Sequence, residues 1–441
     1  MRKIQSRLFT VVTVLLLGSA WWQTSSAADL MDVYELALKN DAELMIAESN
    51  YLAAVQSLPL AQSGRKPQIF FNVDGIASES DNSETGRNSS SAFGYSVDLT
   101  QSIYDTEVQG NISIAEANTA AELARLKSAR QDLILRVAET YFSILGAQDN
   151  VEFTNAERTA IARQLEEAQK RFEVGLIAIT DVYEAQASFD NAEAQVVFAE
   201  NILENAWQAL VVLTADSSIR ELAPLAEDLK LSMPDPATVQ SWVFLALNNN
   251  LDLIAAQQSL NAARYQRDKQ NRNRNPTVDL FASYGDDDRN DDLLGDSRQQ
   301  DLIVGVELQV PLYAGGRLGA ERDQAEAQFL AAQNTALLQN RLAAQQSRTA
   351  FLDVVSGISL VTSLQQALRS ADIALDATRA GFEVGTRTSV DVLISLRETY
   401  RQQRDYARAR YDYVLNKLRL KQAAGILQDE DLKEVNGFLV Q

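Results

Sequence analysis

The sequence predicts a mainly α-helical protein with a membrane β-barrel, in which long helical hairpins and pairs of β-strands occur in two copies. The chain matches itself at an offset of about 209 residues, far longer than the period of a solenoid repeat. Two proline-free stretches are long enough for very long helices, and four segments alternate apolar with polar residues. These three observations together define the predicted fold class.

Residues 1–28 are predicted to be a secretory signal peptide. A basic start precedes an apolar run from Leu8 to Ala20, and small residues end at Ala28, after which cleavage is predicted. The run is shorter than the roughly 17–25 apolar residues of a membrane helix. An uncleaved anchor is the alternative.

Composition excludes several functional classes. The chain has no Cys and no His, which removes lipid attachment through Cys, disulfides, imidazole metal sites and Ser-His-Asp triads. The net charge of −20 disfavours nucleic acid as a partner. The acidic run from Asp286 to Asp296 lacks EF-hand spacing and is predicted to be a solvated loop. No enzyme activity, cofactor or metal site is therefore predicted.

The internal match divides the chain into two structural repeats, 29–214 and 238–427. A linker or equatorial segment, 215–237, joins them, and 428–441 forms a C-terminal tail. Matched pairs are Asn40 with Asn249, Arg65 with Arg274, Pro67 with Pro276, Tyr104 with Tyr313, Gly175 with Gly385, and Asp181 with Asp391. The three prolines of 215–237 leave open whether this segment is a belt around the helices or a loose linker.

Each repeat is predicted to contain a helix, two strands and a long helical hairpin. The hairpins span about 105–214 and about 316–425, and their first helices would be roughly 100 Å long. A 3,4-spaced coiled-coil seam marks the partner helix: Val182, Ala185, Phe189, Ala192, Val196, Ala199, Leu203, Ala206, Leu210 and Leu213. No further apolar stretch is predicted to be a membrane helix, so β-strands must provide any membrane segment.

The strands are predicted at about 68–78, 91–104, 277–285 and 301–311, where one face is apolar and the other polar. Long hydrophilic loops, from Glu79 to Ser90 and from Gly285 to Gln300, are predicted between the strands of each pair. Four strands cannot close a barrel, so several chains must share one. Three chains give a twelve-stranded barrel with a lumen.

Two segments carry a family resemblance. Arg171 to Val182 (RFEVGLIAITDV) strongly resembles the first helix turn of the TolC family, and Gly385 to Leu393 (GTRTSVDVL) resembles the second. Val310 to Gly316 (VPLYAGG) and Thr140 to Phe142 (TYF) are also similar to that family. The resemblance covers essentially the whole chain after the signal peptide.

This resemblance implies a homotrimer in the Gram-negative outer membrane that extends into the periplasm. It implies export of drugs, small molecules or proteins, with outer-membrane lipid, a periplasmic adaptor and an inner-membrane pump as partners. The implied adaptor-contact turns contain Val174, Gly175, Val384 and Gly385. A periplasmic adaptor, or a structural coiled-coil protein of the cell envelope, is the alternative.

The resemblance also implies a gate at the periplasmic end. Arg387 would bond to Asp181 and Thr180 of a neighbouring chain, and Asp391 would face the aperture, where three converging carboxylates should raise their pKa.

Two positions near this gate depart from the family. Ile394 stands where a second aperture aspartate is often found, and Phe382 where a tyrosine is often found. A structural alternative makes Asp181 and Asp391 helix N-caps, with Thr180 or Ser389 able to cap as well.

Overall fold

The structure is a computed structural model that describes residues 27–83, 86–291 and 295–440. The basic and apolar parts of the predicted signal peptide lie outside the described residues. The first repeat contains α1 (Leu30–Asn40), α2 (Ala42–Ser63), β1 (Gln68–Asn82), β2 (Gly86–Tyr104), α3 (Thr106–Glu173) and α4 (Ile179–Thr214). The second contains α5 (Val239–Asn249), α6 (Leu251–Asn271), β3 (Thr277–Asp291), β4 (Ser297–Gln309), α7 (Arg317–Glu383) and α8 (Ser389–Ala423), and α9 (Asp429–Asn436) follows.

One helix is predicted at the start of each repeat, whereas the structure contains two. The break occurs where a polar side chain caps the next helix. Asp41 accepts a hydrogen bond from the backbone N–H of Leu44 (2.7 Å), and Asn250 accepts one from that of Leu253 (3.0 Å). Asp41 is buried and also pairs with Arg136 at 2.8 Å. The cap therefore costs little even though it places a carboxylate inside the protein.

The long helices α3 and α7 dominate the molecule. They contain 68 and 67 residues, which corresponds to roughly 100 Å each. α3 starts after Asp105, whose side chain accepts from the backbone N–H of Glu107 (2.6 Å). α7 starts after Gly316, whose φ of +86° favours glycine.

The predicted seam of α4 faces inward along its length. Its buried members are Ala185, Ala192, Val196, Ala199, Leu210 and Leu213. The larger of two apolar clusters lies where the short helices, α3, α4, α7, α8 and the C-terminal residues meet. The smaller cluster lies toward the ends of the hairpins and includes Ile161, Leu165, Leu375 and Leu393. Both clusters join residues of the two repeats into one packed unit.

The four strands form one antiparallel sheet in the order β1-β2-β3-β4. The predicted long loops are wrong, because β1 and β2 stay paired from Gln68↔Thr100 out to Asn82↔Gly86. Polar pairs continue the ladder beyond the apolar part. The hydroxyls of Ser78 and Ser90 lie 2.9 Å apart, and the pairing ends close to the tip of the hairpin.

The part of the acidic run from Asp286 to Asp291 is likewise in the sheet, as the end of β3, rather than in a solvated loop. Asp286 is buried and forms a bidentate ion pair with Arg298, at 2.9 and 2.5 Å. It also accepts hydrogen bonds from Tyr95 (3.1 Å) and Gln300 (3.0 Å). Four donors around one carboxylate explain why an aspartate is tolerated in a paired strand.

The sheet has one apolar and one mainly polar face, since directly paired residues lie on the same side. The apolar face carries Ile69, Phe71, Val73, Val97, Leu99, Leu280, Ala282, Tyr284, Leu302, Val304 and Val306. The opposite face carries Asn72, Asp74, Ser96, Asp98, Asp279, Ser283, Asp287, Asp301 and Glu307. Asp98 accepts hydrogen bonds there from Ser283 (2.6 Å), Ser96 (2.7 Å) and Asn72 (2.8 Å).

Segment 215–237 is held against the helices. Tyr413 is buried, and its hydroxyl donates to Ser232 O (3.0 Å) and accepts from Ser232 N (2.9 Å). Leu225 pairs with Leu439 of the tail. The segment is therefore fastened to the helices of the second repeat and to the C-terminal end, as a belt would be.

Two helices pass a length and composition test for crossing a membrane. α4 and α7 each contain an 18-residue window of sufficient hydropathy, of which 28% and 17% are buried in the described chain. By length and composition, the expectation that the chain contains no further candidate for a membrane helix is therefore wrong.

Candidate functional site

Two equivalent turns lie at the ends of the helical hairpins, where the candidate site residues were predicted. α3 ends at Glu173 and α7 at Glu383, and each is followed by a valine and a glycine. Gly175 has a φ of +76° and Gly385 a φ of +78°. A side chain at either glycine would meet nothing within 4 Å, so backbone conformation alone requires these glycines.

The first turn leads into α4 without a side-chain cap. The N-cap residue is Ala178, which makes no such bond. Thr180 and Asp181 come two and three residues later, already inside the helix. The alternative in which either residue caps α4 is therefore wrong.

The second turn leads into α8 through a capping box. Thr388 is the N-cap, and its hydroxyl accepts from the backbone N–H of Asp391 at 3.2 Å. The Asp391 carboxylate accepts from the backbone N–H and from the hydroxyl of Thr388, both at 2.9 Å. Ser389 does not cap, since its buried hydroxyl has no hydrogen-bond partner within the described part of the chain.

The surroundings of Asp391 favour the ionised carboxylate. The backbone N–H and the hydroxyl of Thr388, with the nearby positive charge of Arg387, lower the pKa of Asp391 below its ordinary value. The upward shift expected from three converging carboxylates is an effect between chains. Within one chain, the direction is the opposite.

The three residues of the predicted lock do not contact one another within the chain. Arg387 and Thr180 are exposed and Asp181 is half-exposed. Across residues 27–83, 86–291 and 295–440, none of the three side chains takes part in an ion pair or a hydrogen bond. An arginine and an aspartate at the same end of the molecule are thus both available to a partner.

The turns predicted to contact an adaptor present apolar side chains to solvent. Val174 is 70% exposed and Val384 is 75% exposed. Leu176 and Ile394, nearby in the sequence, are also exposed. An exposed valine at the same place in both turns is a repeated feature of these ends.

One contact at this end was missed from the sequence. The guanidinium carbon of Arg171 lies 4.0 Å from the centroid of the Phe382 ring. The two residues belong to different repeats, and no local pattern links them. For Phe382 the family resemblance indicated only that a phenylalanine stands where a tyrosine is often found.

The described residues contain no group of three or more His, Cys, Asp or Glu side chains that could hold a metal ion. The arrangement at the hairpin ends instead offers complementary charges and exposed apolar side chains. Such surfaces suit contact between protein chains.

Comparison with known proteins identifies the class to which this fold belongs. The solved structure of the Campylobacter jejuni CmeC outer membrane channel matches with a TM-score of 0.79 at 16% identity, covering 100% of this chain and 98% of that one. The fold is therefore that of the outer membrane channels, mainly helical with a four-stranded antiparallel sheet in each chain.

Sequence comparison defines the family. The family of outer membrane efflux proteins matches residues 33–216 and 242–426. The outer membrane protein TolC of Vibrio cholerae is 34% identical over 435 residues, covering 98% of both chains. The alkaline protease secretion protein AprF of Pseudomonas aeruginosa is 28% identical over 443 residues, covering 99% of this chain and 91% of that one.

This chain belongs to the outer membrane efflux protein family. The predicted resemblance to TolC and the predicted outer-membrane localisation are thereby confirmed. At the level of the family, the chain is a channel protein and not an enzyme.

Proposed function

We propose that three copies of this chain form a channel-tunnel through the outer membrane and the periplasm. It exports drugs, small molecules or proteins together with an inner-membrane pump and a periplasmic adaptor. The observation that carries the proposal is a four-stranded sheet with one apolar face. In the described chain β1 pairs with β2 alone and β4 with β3 alone, which leaves two edges unpaired.

An open sheet edge cannot lie in lipid, where its N–H and C=O groups have no water to bond. Joining β4 of one chain to β1 of the next removes every edge once the ring closes. Two chains would give eight strands and a filled interior, whereas three give twelve strands and a lumen. The apolar face then contacts outer-membrane lipid, and the face with Asp74, Asp98 and Asp301 lines the lumen.

The periplasmic end is closed, in this proposal, by contacts between neighbouring chains. Arg387 of one chain binds Asp181 and Thr180 of the next. Among the described residues, none of these three side chains makes an ion pair or a hydrogen bond, which supports this arrangement. A charge-assisted contact of this kind contributes about 1 kcal/mol when it is partly exposed, and threefold symmetry repeats it. Asp391 faces the aperture.

The adaptor binds the ends of the hairpins. Val174 and Val384 are exposed apolar side chains, and Gly175 and Gly385 hold the turns that present them. Burial of such a side chain contributes about 1.5–3 kcal/mol. Adaptor contact at these turns would lie beside Arg387 and could open the lock.

The test is single-channel conductance of the purified protein in a planar bilayer, for the parent and for Arg387→Ala. The parent should show a small, cation-selective conductance that rises in the variant. Arg379→Ala is the matched control, since Arg379 is also exposed near the end of α7. If Arg387→Ala conducts like the parent, the proposed lock is wrong, but the proposed channel is unaffected.

A charge exchange tests the partner of Arg387. Arg387→Asp should open the channel, and adding Asp181→Arg should restore the closed state because the pair is re-formed with reversed sign. A protein that stays soluble without detergent and conducts in no variant would favour a periplasmic adaptor or a structural coiled-coil protein.

A further inference from the structure

The contact between Arg171 and Phe382 joins the first hairpin to the second at their ends. Arg171 lies in the last turn of α3, and Phe382 in the last turn of α7. The Phe382 ring is 6% exposed, and the guanidinium of Arg171 covers it at 4.0 Å. Glu167, one turn earlier, holds the Arg171 guanidinium by an ion pair of 2.8 Å. This geometry is a cation–π contact with an oriented cation.

The internal repeat shows that this contact is not a by-product of duplicated sequence. The position equivalent to Arg171 in the second repeat is Gly381, and the position equivalent to Arg387 in the first is Ile177. A Cβ atom at Gly381 would lie 2.8 Å from Cγ of Arg387. The two repeats therefore place their arginines differently: one turns inward onto the other hairpin, and the other remains exposed.

Phe382 is directly connected to the turn that carries Arg387. Its carbonyl accepts from the backbone N–H of Gly385 at 3.1 Å. The preceding carbonyl, of Gly381, accepts from the backbone N–H groups of Thr386 (2.8 Å) and Arg387 (3.2 Å). A contact that holds the end of α7 in place therefore also holds the backbone of the turn that carries Arg387.

We propose that Arg171 is a positioning residue for the periplasmic lock. By stacking on Phe382 it ties the two hairpins of one chain together and holds the Arg387 turn in the orientation that reaches the neighbouring chain. This inference rests on the proposed function, because it assigns a second, intrachain contact to the same closed end.

The chain provides a matched control next to Arg171. Lys170 pairs with Glu166 at the same i, i+4 spacing and in the same turn, with its side chain 69% exposed. No aromatic ring lies under Lys170 among the described residues. Arg171→Ala and Lys170→Ala remove one positive charge each from neighbouring positions, but only the first removes the stacking contact.

Conductance distinguishes the contact from the charge. A cation–π contact of this kind changes a two-state equilibrium by about two- to thirtyfold, so Arg171→Ala should raise the open fraction within that range. Lys170→Ala should leave it unchanged. Phe382→Leu should match Arg171→Ala, whereas Phe382→Trp, which keeps an aromatic face, should remain closed. The double variant Arg171→Ala, Phe382→Leu should be no more open than either single variant.

Hydrogen exchange of the purified protein tests the positioning without relying on conduction. The backbone amides of Gly385, Thr386 and Arg387 should exchange faster in Arg171→Ala than in the parent, by about the same two- to thirtyfold factor that is expected for the open fraction. Lys170→Ala should keep the parent protection.

Equal protection in Arg171→Ala and in the parent would overturn the inference, whether or not the channel conducts. If the Arg387→Ala channel is open and the Arg171→Ala channel is closed, the positioning role of Arg171 is also wrong. The proposed lock would still stand in that case.

Discussion

Thr388 and Asp391 cap each other at the start of α8, through the hydroxyl of one residue and the carboxylate of the other. The corresponding start of α4 has Ala178 in place of the threonine, and Asp181 accepts no such bond from it. One aspartate is therefore engaged with its own helix, while its counterpart in the first repeat is available to another chain. Asp181 and Asp391 occupy equivalent positions of the two repeats, so the internal match alone does not predict this difference.

Replacing Thr388 by Ala should weaken the first turn of α8. An N-cap of this type contributes about 1 kcal/mol, which corresponds to roughly fivefold faster opening of the turn. Hydrogen exchange of the Thr388 and Asp391 amides measures this change. Ser389→Ala is the control, because the buried Ser389 hydroxyl bonds to none of the described residues. Equal effects of the two substitutions would contradict the capping box.

The capping box should depend on pH in a defined direction. Because the pKa of Asp391 is lowered in the folded chain, its stabilising contribution is complete above the ordinary value of 3.8 and is lost as the pH falls through the lower, folded value. Protection of the Thr388 amide, corrected for intrinsic exchange, should hold down to pH 3.8 and fall below it. Asp391→Ala should abolish this dependence. Loss of protection near neutral pH would instead indicate that repulsion between three converging carboxylates dominates.

Gly425 and Gly385 should differ sharply in their tolerance of alanine, although both have positive φ, of +71° and +78°. A Cβ atom at Gly425 would lie 2.1 Å from the carbonyl oxygen of Asn249, where the chain after α8 meets the end of α5, whereas one at Gly385 meets nothing within 4 Å. Gly385→Ala should cost only the strain of about 1–2 kcal/mol. Gly425→Ala should yield far less folded protein in the outer-membrane fraction. Similar yields would show that the backbone at Asn249 can move aside.

The predicted signal peptide should be removed between Ala27 and Ala28, one residue earlier than the sequence predicts. The Ala28 backbone N–H donates to Glu221 O (3.0 Å), and its carbonyl accepts from Ala223 N (3.1 Å) and from the Tyr141 hydroxyl (3.2 Å). Cleavage after Ala28 would remove all three bonds. N-terminal sequencing of the exported protein should begin with Ala28, and a chain beginning with Asp29 would contradict this expectation.

Much of the fold could be predicted because its signals are local. Proline at 67 and 276 marks the ends of helical patterns, and the 3,4 spacing from Val182 to Leu213 marks the face that is buried. The strand ends could not be predicted from alternation. Apolar residues report only the part of a strand that contacts apolar surroundings, whereas hydroxyls such as those of Ser78 and Ser90 continue the pairing beyond it.

The candidate site was predictable to a lesser extent. The glycines of both turns follow from the need for positive φ after a helix, and Thr388 and Asp391 have the spacing of a capping box. The stacking of Arg171 on Phe382 has no local signal, because the contact joins two repeats distant in sequence. The sequence distinguishes Arg171 in one respect: the equivalent position in the second repeat is a glycine, Gly381.

The two unpaired edges of the sheet determine the order in which the protein can mature. The apolar clusters of the helical part lie within one chain and can form as soon as that chain is present. In the proposed trimer the sheet is completed only when other copies arrive, because β1 and β4 have no second neighbour among the described strands. Assembly of the sheet slows steeply as the concentration of chains falls. Until assembly is complete, the exposed strand edges favour wrong pairing. Raising the supply of chains should therefore shorten the most aggregation-prone stage of biogenesis.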